Sequence, residues 1–497
     1  MASNITKGAV ISYIAIVINI AISFIYTPWM IHTIGKSDYG LYSLVTAFVS
    51  YFLLDFGLNS SITRFVAKYR AIGDEDGVSA IIGLTARVFL IIDAVIFVAL
   101  FLMFFFIEKI FTGLNPSEIE TLRGLYIIAG FFSVFSFALK PIDGIMMAYE
   151  YFVPNKVLDM IHRVGSVILV VVLLLLGGDV YSLVLVHCGT AFLASLAKCI
   201  LFRRKSRIRI KWSYSDKGML KALLSFSVWI FLIGLAQRLR LSFVPTVLGI
   251  KSNSSEIAVF SLGMMIEGLV WTISNALNGL FLPKVTRLVA KSNEPKSVSE
   301  LMIRVGRIQY FIVLLIFTGF CLFGDVFIKC WVGEDFSDAY YVIIFLILPS
   351  LITNTQSIAN DVIYAENKVR YTAPIIISTS LVGLVLSFFF APKYGAIGCA
   401  ICSCAALLLY VLIVNFYYIS GLKLHIVSFF YNCHLRISVP MLLSLVFGIL
   451  LRLIFQLQNW HQLFAGVIIY CLAYFANAYF LAFNPEEKKL LSSIINF

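Results

Sequence analysis

Long apolar runs separated by short polar segments fill this chain from end to end. A helix needs about 20 apolar residues to cross about 30 Å of hydrocarbon. Fourteen runs approach or exceed that length, at roughly 9–34, 39–67, 79–107, 122–148, 154–176, 180–202, 219–249, 256–284, 302–328, 339–364, 373–391, 395–419, 434–456 and 461–483. Runs such as Ser166 to Leu176 show no alternation of polar and apolar positions, which excludes a β-barrel. The pattern predicts an all-α polytopic membrane protein with about 14 transmembrane helices.

The polar segments order these runs. The densest, Arg203 to Lys221, holds eight cations (Arg203, Arg204, Lys205, Arg207, Arg209, Lys211, Lys217 and Lys221) against Asp216 alone. Lys and Arg near span ends are retained on the cytoplasmic side. Cations recur in every second loop, at Lys68 and Arg70, Lys156, the basic segment, Lys284 to Arg304, Lys368 and Arg370, Lys423 and Arg436, and Lys488 and Lys489. The alternate loops hold Glu108, Glu118, Glu120, Asp179, Glu256, Glu334, Asp335 and Asp338. An even number of spans with both termini cytoplasmic follows.

The first two sets of six spans repeat one another. Thr63-Arg64-Phe65-Val66-Ala67-Lys68 closes span two, and Thr286-Arg287-Leu288-Val289-Ala290-Lys291 closes span eight. Pro28 corresponds to Pro245, Tyr42-Ser43-Leu44 to Phe260-Ser261-Leu262, and Arg87 to Arg307. Copies of six spans have the same orientation, so their axis runs along the membrane normal. The expected organisation is a six-helix lobe over 1–202, a basic cytoplasmic connector over 203–218, a second lobe over 219–420, and a final helix pair with a tail over 421–497.

Composition agrees with the pattern: 61% of residues are apolar and 13% charged, with a mean hydropathy of +0.96. A net charge of +12 would suggest nucleic acid in a soluble chain; here membrane orientation accounts for it. Nine cysteines are present, and Cys399, Cys402 and Cys404 lie within one apolar run without a second cluster at metal-ligand spacing. They are expected to be packing residues. The first run is too long for a cleavable signal peptide and lacks a small-residue cleavage site. No P-loop, zinc-binding HExxH or nucleophile elbow is present, so neither a catalytic role nor a cofactor is expected.

Ionisable residues within spans are costly in hydrocarbon and usually face a cavity. Arg238 and Arg240 in span seven lie about 17 and 14 Å from Gly249 if the helix is continuous. Two residues apart, they point to different faces. Span eight carries Glu267, Trp271, Asn275 and Asn278 at spacings that form one polar-aromatic stripe; span two carries a shorter one, Asp55 and Asn59. Carboxylates and amides there would bind a polar ligand or exchange a proton, or else hold helices together at about 1 kcal/mol per contact. His187 reads as a satisfied core histidine.

Two six-span copies, a basic connector and a closing helix pair together resemble the polysaccharide-transporter branch of the multidrug/oligosaccharidyl-lipid/polysaccharide exporter superfamily. The stretch Ala9 to Leu44, containing TPWMIHTIGKSDYGLYSL, resembles the first-span phrase of O-antigen and capsule flippases. The resemblance implies transfer of undecaprenyl-pyrophosphate-linked oligosaccharide across a bacterial inner membrane, alongside the polymerase and chain-length machinery of the same pathway. Arg87, Lys140, His162 and Arg163, with Asp143 beside them, would then receive the pyrophosphate at the cytoplasmic side, since guanidinium forks bind phosphate oxygens; positive-inside placement accounts for the same cluster without a ligand. Span one carries only Asn19 and Ser23, which disfavours a peptidoglycan precursor, because flippases for that substrate are charged there. A multidrug exporter of the same fold is the alternative; its cavity would be acidic. A membrane glycosyltransferase or polymerase would need large outer loops bearing paired acids, and the outer loops here are short.

Overall fold

The computed structural model describes residues 17, 20–52, 56–206, 211–212, 216–240, 242–275, 285, 288, 295–366, 368–455 and 457–489. They are nearly all helical and contain no strand. Asp55 and Asn278 lie outside the described residues, and of Asn275 only the backbone is described.

The first helices are α1 (Ile20–Ile34), α2 (Lys36–Phe52), α3 (Leu58–Ala71), α4 (Glu75–Phe104), α5 (Ile107–Ile110), α6 (Pro116–Leu139), α7 (Pro141–Ala148), α8 (Phe152–Leu175), α9 (Val180–Lys205), α10 (Lys217–Arg240), α11 (Phe243–Lys251) and α12 (Ser254–Asn275). Then come α13 (Pro295–Val332), α14 (Ala339–Ile347), α15 (Ser350–Thr353), α16 (Ser357–Ala365), α17 (Val369–Ser420), α18 (Ile426–Phe429), α19 (Arg436–Ile454) and α20 (Trp460–Asn477). Among the described residues, nine helices are long and apolar enough to cross a membrane, ten if the pair Ala339–Thr353 and Ser357–Ala365, bent by 56°, is one span. Each of the fourteen apolar runs contains helix, but not every run is one straight span. Run two is interrupted ahead of Leu58, where Phe56 (φ 52°) and Gly57 (φ 71°) adopt left-handed backbone. Run seven is described as α10 up to Arg240 and α11 from Phe243, with position 241 outside the described residues. Runs eleven and twelve meet at Gly395 (φ 50°) inside α17.

Local chemistry explains the ends. Asp74 caps α4, its Oδ1 accepting from Gly77 N at 2.7 Å, and Asp179 caps α9 by accepting from the amides of Tyr181 and Ser182. Asn115 and Glu118 form a capping box ahead of Pro116. Arg203, Arg204 and Lys205 sit in the last turn of α9, where the helix dipole favours cations.

By contact density the chain forms two compact units. Unit 1 is Met1–Ser261 with Leu384–Gly395; unit 2 is Leu262–Gly383 with Ala396–Phe497. In unit 1, α3 packs against α4 and α7, and α9 packs against α6 and α8. Leu90, Ile91, Val95, Phe97, Val98 and Phe101 of α4 are exposed, as expected of a lipid-facing helix. At the acidic end, Ser37 Oγ donates to Glu118 Oε1 at 2.8 Å, and Ser254 Oγ hydrogen-bonds the same oxygen. This knot joins the starts of α2, α6 and α12. A side chain at Gly40 would overlap the Ser254 carbonyl.

Asp38, just ahead of the second apolar run, lies beside the knot. Burial, then the carboxylates of Asp179 and Glu118, push its carboxyl above the ordinary 3.8. The folded chain therefore holds this proton more tightly than the unfolded one. The charged form destabilises the fold at neutral pH, and that penalty vanishes as the pH falls to 3.8. Asp38→Asn is expected to raise the melting temperature at neutral pH and to give no advantage near pH 3.8. An equal gain at both pH values would contradict this.

Unit 2 is organised on α13. Tyr470 OH donates to Thr318 Oγ1 at 2.7 Å, and Tyr474 OH to the Phe311 carbonyl at 3.0 Å. Arg452 of α19 donates to the Leu322 carbonyl at 2.6 Å and pairs with Asp325. The final helix pair is thus fastened to α13 by polar contacts as well as by the apolar cluster around Phe311, Tyr418, Phe429 and Tyr474.

Candidate functional site

The candidate site is built from the polar residues of unit 1. Asn59 lies 14 residues before Gly73 and Arg87 lies 14 residues after it. Because α3 and α4 pack together across this tight connection, the two residues share one level, about 20 Å from the turn. Asn59 is in the first turn of α3, directly after the left-handed Gly57. Irregular backbone at membrane depth is tolerated where it is buried in protein or lines a cavity. A Cβ on Gly144 would lie 2.7 Å from the Asn59 carbonyl oxygen, so glycine permits the close approach of α7 to α3. Asn59 Oδ1 is buried and has no hydrogen-bond partner among the described residues.

Arg87 is half-buried. Its Nε and Nη2 are both buried without a hydrogen-bond partner among the described residues. Its repeat counterpart, Arg307, is placed alike: each follows the first residue of its helix by twelve positions. Every guanidinium nitrogen of Arg307 has a partner. Its Nε and Nη2 donate to Glu487 Oε1 and Oε2 at 2.6 and 2.9 Å, and its Nη1 and Nη2 donate to the carbonyls of Asn432 and Ala482 at 2.6 and 2.8 Å. The edge that grips a carboxylate in unit 2 is the edge left unpaired in unit 1.

The residues expected near the basic end separate into three situations. Lys140 is half-buried at the junction of α6 and α7. His162 is half-buried with Nδ1 unpartnered among the described residues, and its ring centroid is 6.3 Å from that of His187. Arg163 is exposed. Asp143 is engaged elsewhere: Lys198 Nζ lies 2.7 Å from Asp143 Oδ1 and 2.7 Å from Asp159 Oδ1. Lys198 and Asp159 were not singled out in the sequence. Their signal was present, since both are ionisable residues inside apolar runs.

Arg238 and Arg240 occupy the last turn of α10, where the dipole itself favours cations. Tyr51 is within electrostatic range of Arg238; its hydroxyl reaches the Ser242 carbonyl and lies 2.7 Å from Thr246 Oγ1, while its ring stacks on Phe243 at 4.1 Å. In unit 2, Glu267 is 4% exposed and Trp271, one turn on, 52%. The two residues of the predicted stripe therefore have different surroundings.

Comparison with solved structures defines the class of fold first. The lipid II flippase MurJ, in its inward closed conformation, superposes with a TM-score of 0.72 at 15% identity, covering 95% of this chain and 98% of that one. An inward-facing MATE-family multidrug transporter of the MOP superfamily gives 0.64 at 16% identity, covering 80% and 97%. A MOP-superfamily transporter from Pyrococcus furiosus gives 0.59 at 14% identity, covering 84% and 96%. The chain thus shares the fold of these three proteins. No curated protein matches the chain in sequence. The polysaccharide biosynthesis protein family matches residues 5–282, more than half of the chain, and the chain belongs to that family.

Proposed function

We propose that the chain is a flippase for lipid-linked oligosaccharide. Its substrate is an undecaprenyl-pyrophosphate-linked repeat unit of the O-antigen or capsule type, moved from the cytoplasmic to the outer leaflet of a bacterial inner membrane. Movement proceeds by alternating access between the two repeat-related lobes, 1–202 and 219–420, and draws on an ion gradient. Fourteen spans place both termini and the 203–218 connector in the cytoplasm. One observation carries the reading: a member of a family described by polysaccharide biosynthesis has the fold of a membrane flippase.

The unpaired guanidinium edge of Arg87 supports it. Moving a pyrophosphate through hydrocarbon without compensating charge costs many kcal/mol, and in-plane oxygens are what such an edge binds bidentately. Arg87 is the first pyrophosphate contact in this reading, with Lys140, His162 and Arg163 at the approach. Arg238, Arg240, Asp55, Asn59, Glu267, Trp271, Asn275 and Asn278 are the remaining candidates for contact with the substrate. The polymerase and chain-length machinery of the pathway take the product.

Complementation tests the proposal. Expression in a bacterium lacking its own repeat-unit flippase is expected to restore surface polymer; across a panel of O-antigen and capsule strains, absence of restoration in every case despite normal membrane abundance would refute it. The likeness to a MATE transporter favours a second reading, cation-coupled drug export, for which drug resistance rather than polymer display would be gained.

A further inference from the structure

The tenth apolar run is broken inside unit 2. Its first part, Ala339–Thr353, and its second, Ser357–Ala365, are bent by 56°. Asn354, Thr355 and Gln356 form the break and are 5%, 0% and 2% exposed. A break frees backbone groups that an unbroken helix would pair, and at membrane depth these must find partners within the protein. The Leu351 carbonyl finds two. It accepts from His434 Nε2 at 3.1 Å and from Thr355 Oγ1 at 3.3 Å. A carbonyl only accepts, so the contact places the ring hydrogen of His434 on Nε2.

His434 belongs to a π-helical turn, Phe430–Leu435, that leads into α19 and so into the final helix pair. Such turns are rare and occur mostly at functional sites. This one is gripped by α13. Arg307 Nη1 donates to the Asn432 carbonyl at 2.6 Å, and the Tyr310 ring lies 4.3 Å from that of His434. Tyr310 OH is in turn 2.6 Å from Ser438 Oγ. A Cβ on Gly306 of α13 would lie 2.9 Å from the Thr355 carbonyl oxygen and 2.8 Å from Phe429 Cε2. Glycine there lets α13, the break and the residue just ahead of the π-helical turn meet at one point.

The two parts of the broken run have separate anchors. The start of α16 is tied to α13 and α17: Ser357 Oγ donates to Gln309 Oε1 at 3.3 Å, and Gln356 Nε2 to Asn415 Oδ1 at 2.8 Å. Far from the break, α14 is tied to α13, where Tyr340 OH donates to the Cys321 carbonyl at 2.9 Å. His434 takes the end of the first part, at Leu351. Its donor comes from 83 residues further along the chain, outside the six-span copy over 219–420. The repeat alone therefore does not supply the group that fixes this end of the break.

We infer that His434 is a positioning residue that sets the bend of the tenth run, and that the final helix pair braces this hinge within unit 2. Arg307 and Tyr310 hold the π-helical turn, the turn holds the imidazole, and the imidazole holds the Leu351 carbonyl. Without that donor the first part of the run is free to change its angle to α16. The brace requires no particular substrate, so it goes beyond the flippase reading and does not depend on it.

The test uses the full chain in lipid nanodiscs without substrate. Spin labels carried by p-acetylphenylalanine replace the exposed Tyr341 of α14 and Tyr364 of α16, which leaves the nine cysteines in place. With His434 present, one narrow distance distribution is expected. His434→Leu is expected to broaden or shift it, and to speed hydrogen exchange of the amides over 351–357 roughly tenfold. Exchange along α13 and α20 is expected to keep its wild-type rate. His434→Gln, whose amide nitrogen reaches the place of Nε2, is expected to restore both readings; His434→Asn, whose amide nitrogen reaches only as far as Nδ1, is not. Unchanged distances and exchange in His434→Leu overturn the inference. Faster exchange spread evenly over unit 2 also overturns it, since that marks general destabilisation, as does equal behaviour of the Gln and Asn variants. A chain that shows the His434 effects but restores no polymer leaves the brace standing and removes the flippase reading.

Discussion

Arg307→Ala is expected to destabilise the chain by about 3–5 kcal/mol, the loss seen when one partner of a buried ion pair is removed. Arg307 and Glu487 are 7% and 12% exposed at their side chains, so solvent screens the pair little. The substitution also strips the carbonyls of Asn432 and Ala482 of their donor. Glu487 is fixed from its other side: its Oε2 accepts from Asn484 N, and its own N donates to Asn484 Oδ1, both at 2.9 Å. Arg307 therefore fastens the chain that follows the last span to α13. Thermal melting in detergent should fall sharply for Arg307→Ala and for Glu487→Ala. The paired replacement Arg307→Leu with Glu487→Leu should recover part of the loss, because it leaves no lone buried charge. Wild-type melting of both single variants would contradict this account.

Arg87→Ala is expected to do the reverse. Nε and Nη2 have no hydrogen-bond partner among the described residues, so truncation of this half-buried side chain breaks no hydrogen bond at that edge and should leave abundance and melting unchanged. Export should collapse. A charge-assisted hydrogen bond contributes about 1.5–3 kcal/mol, so a roughly tenfold to hundredfold drop in surface polymer is expected. Lys at this position should recover part of it, keeping charge without the planar fork. Normal polymer display from Arg87→Ala at normal abundance would take Arg87 out of the transport path. The pair makes the comparison demanding: equivalent positions, one variant failing in stability and the other in transport.

The helical class was legible because apolar runs of span length leave few other folds in a membrane. The interruptions were not. Phe56 and Gly57 sit between apolar stretches, and only their left-handed backbone reveals that run two is two helices. The correspondence of Arg87 with Arg307 could be read from the repeat, but not the difference between them. The partner of Arg307 lies 180 residues further on, beyond the span of either copy. Lys198 is not distinguished by its sequence position. It stands seven residues before Lys205 on the helix that ends in the basic connector, and only the fold brings Asp143 and Asp159 against it. The difference in exposure between Glu267 and Trp271 is likewise tertiary; spacing alone puts them on one face.

The most direct measurement is translocation by the purified chain in proteoliposomes. A fluorescent undecaprenyl-pyrophosphate oligosaccharide in one leaflet, exposed to a membrane-impermeant quencher, reports its transfer to the other. The account predicts that wild-type protein accelerates transfer over protein-free vesicles, that a pH gradient changes the rate, and that Arg87→Ala reduces it to the protein-free level. Vesicles that expel cationic drugs while leaving the oligosaccharide lipid in its original leaflet, for every repeat unit offered, would contradict it.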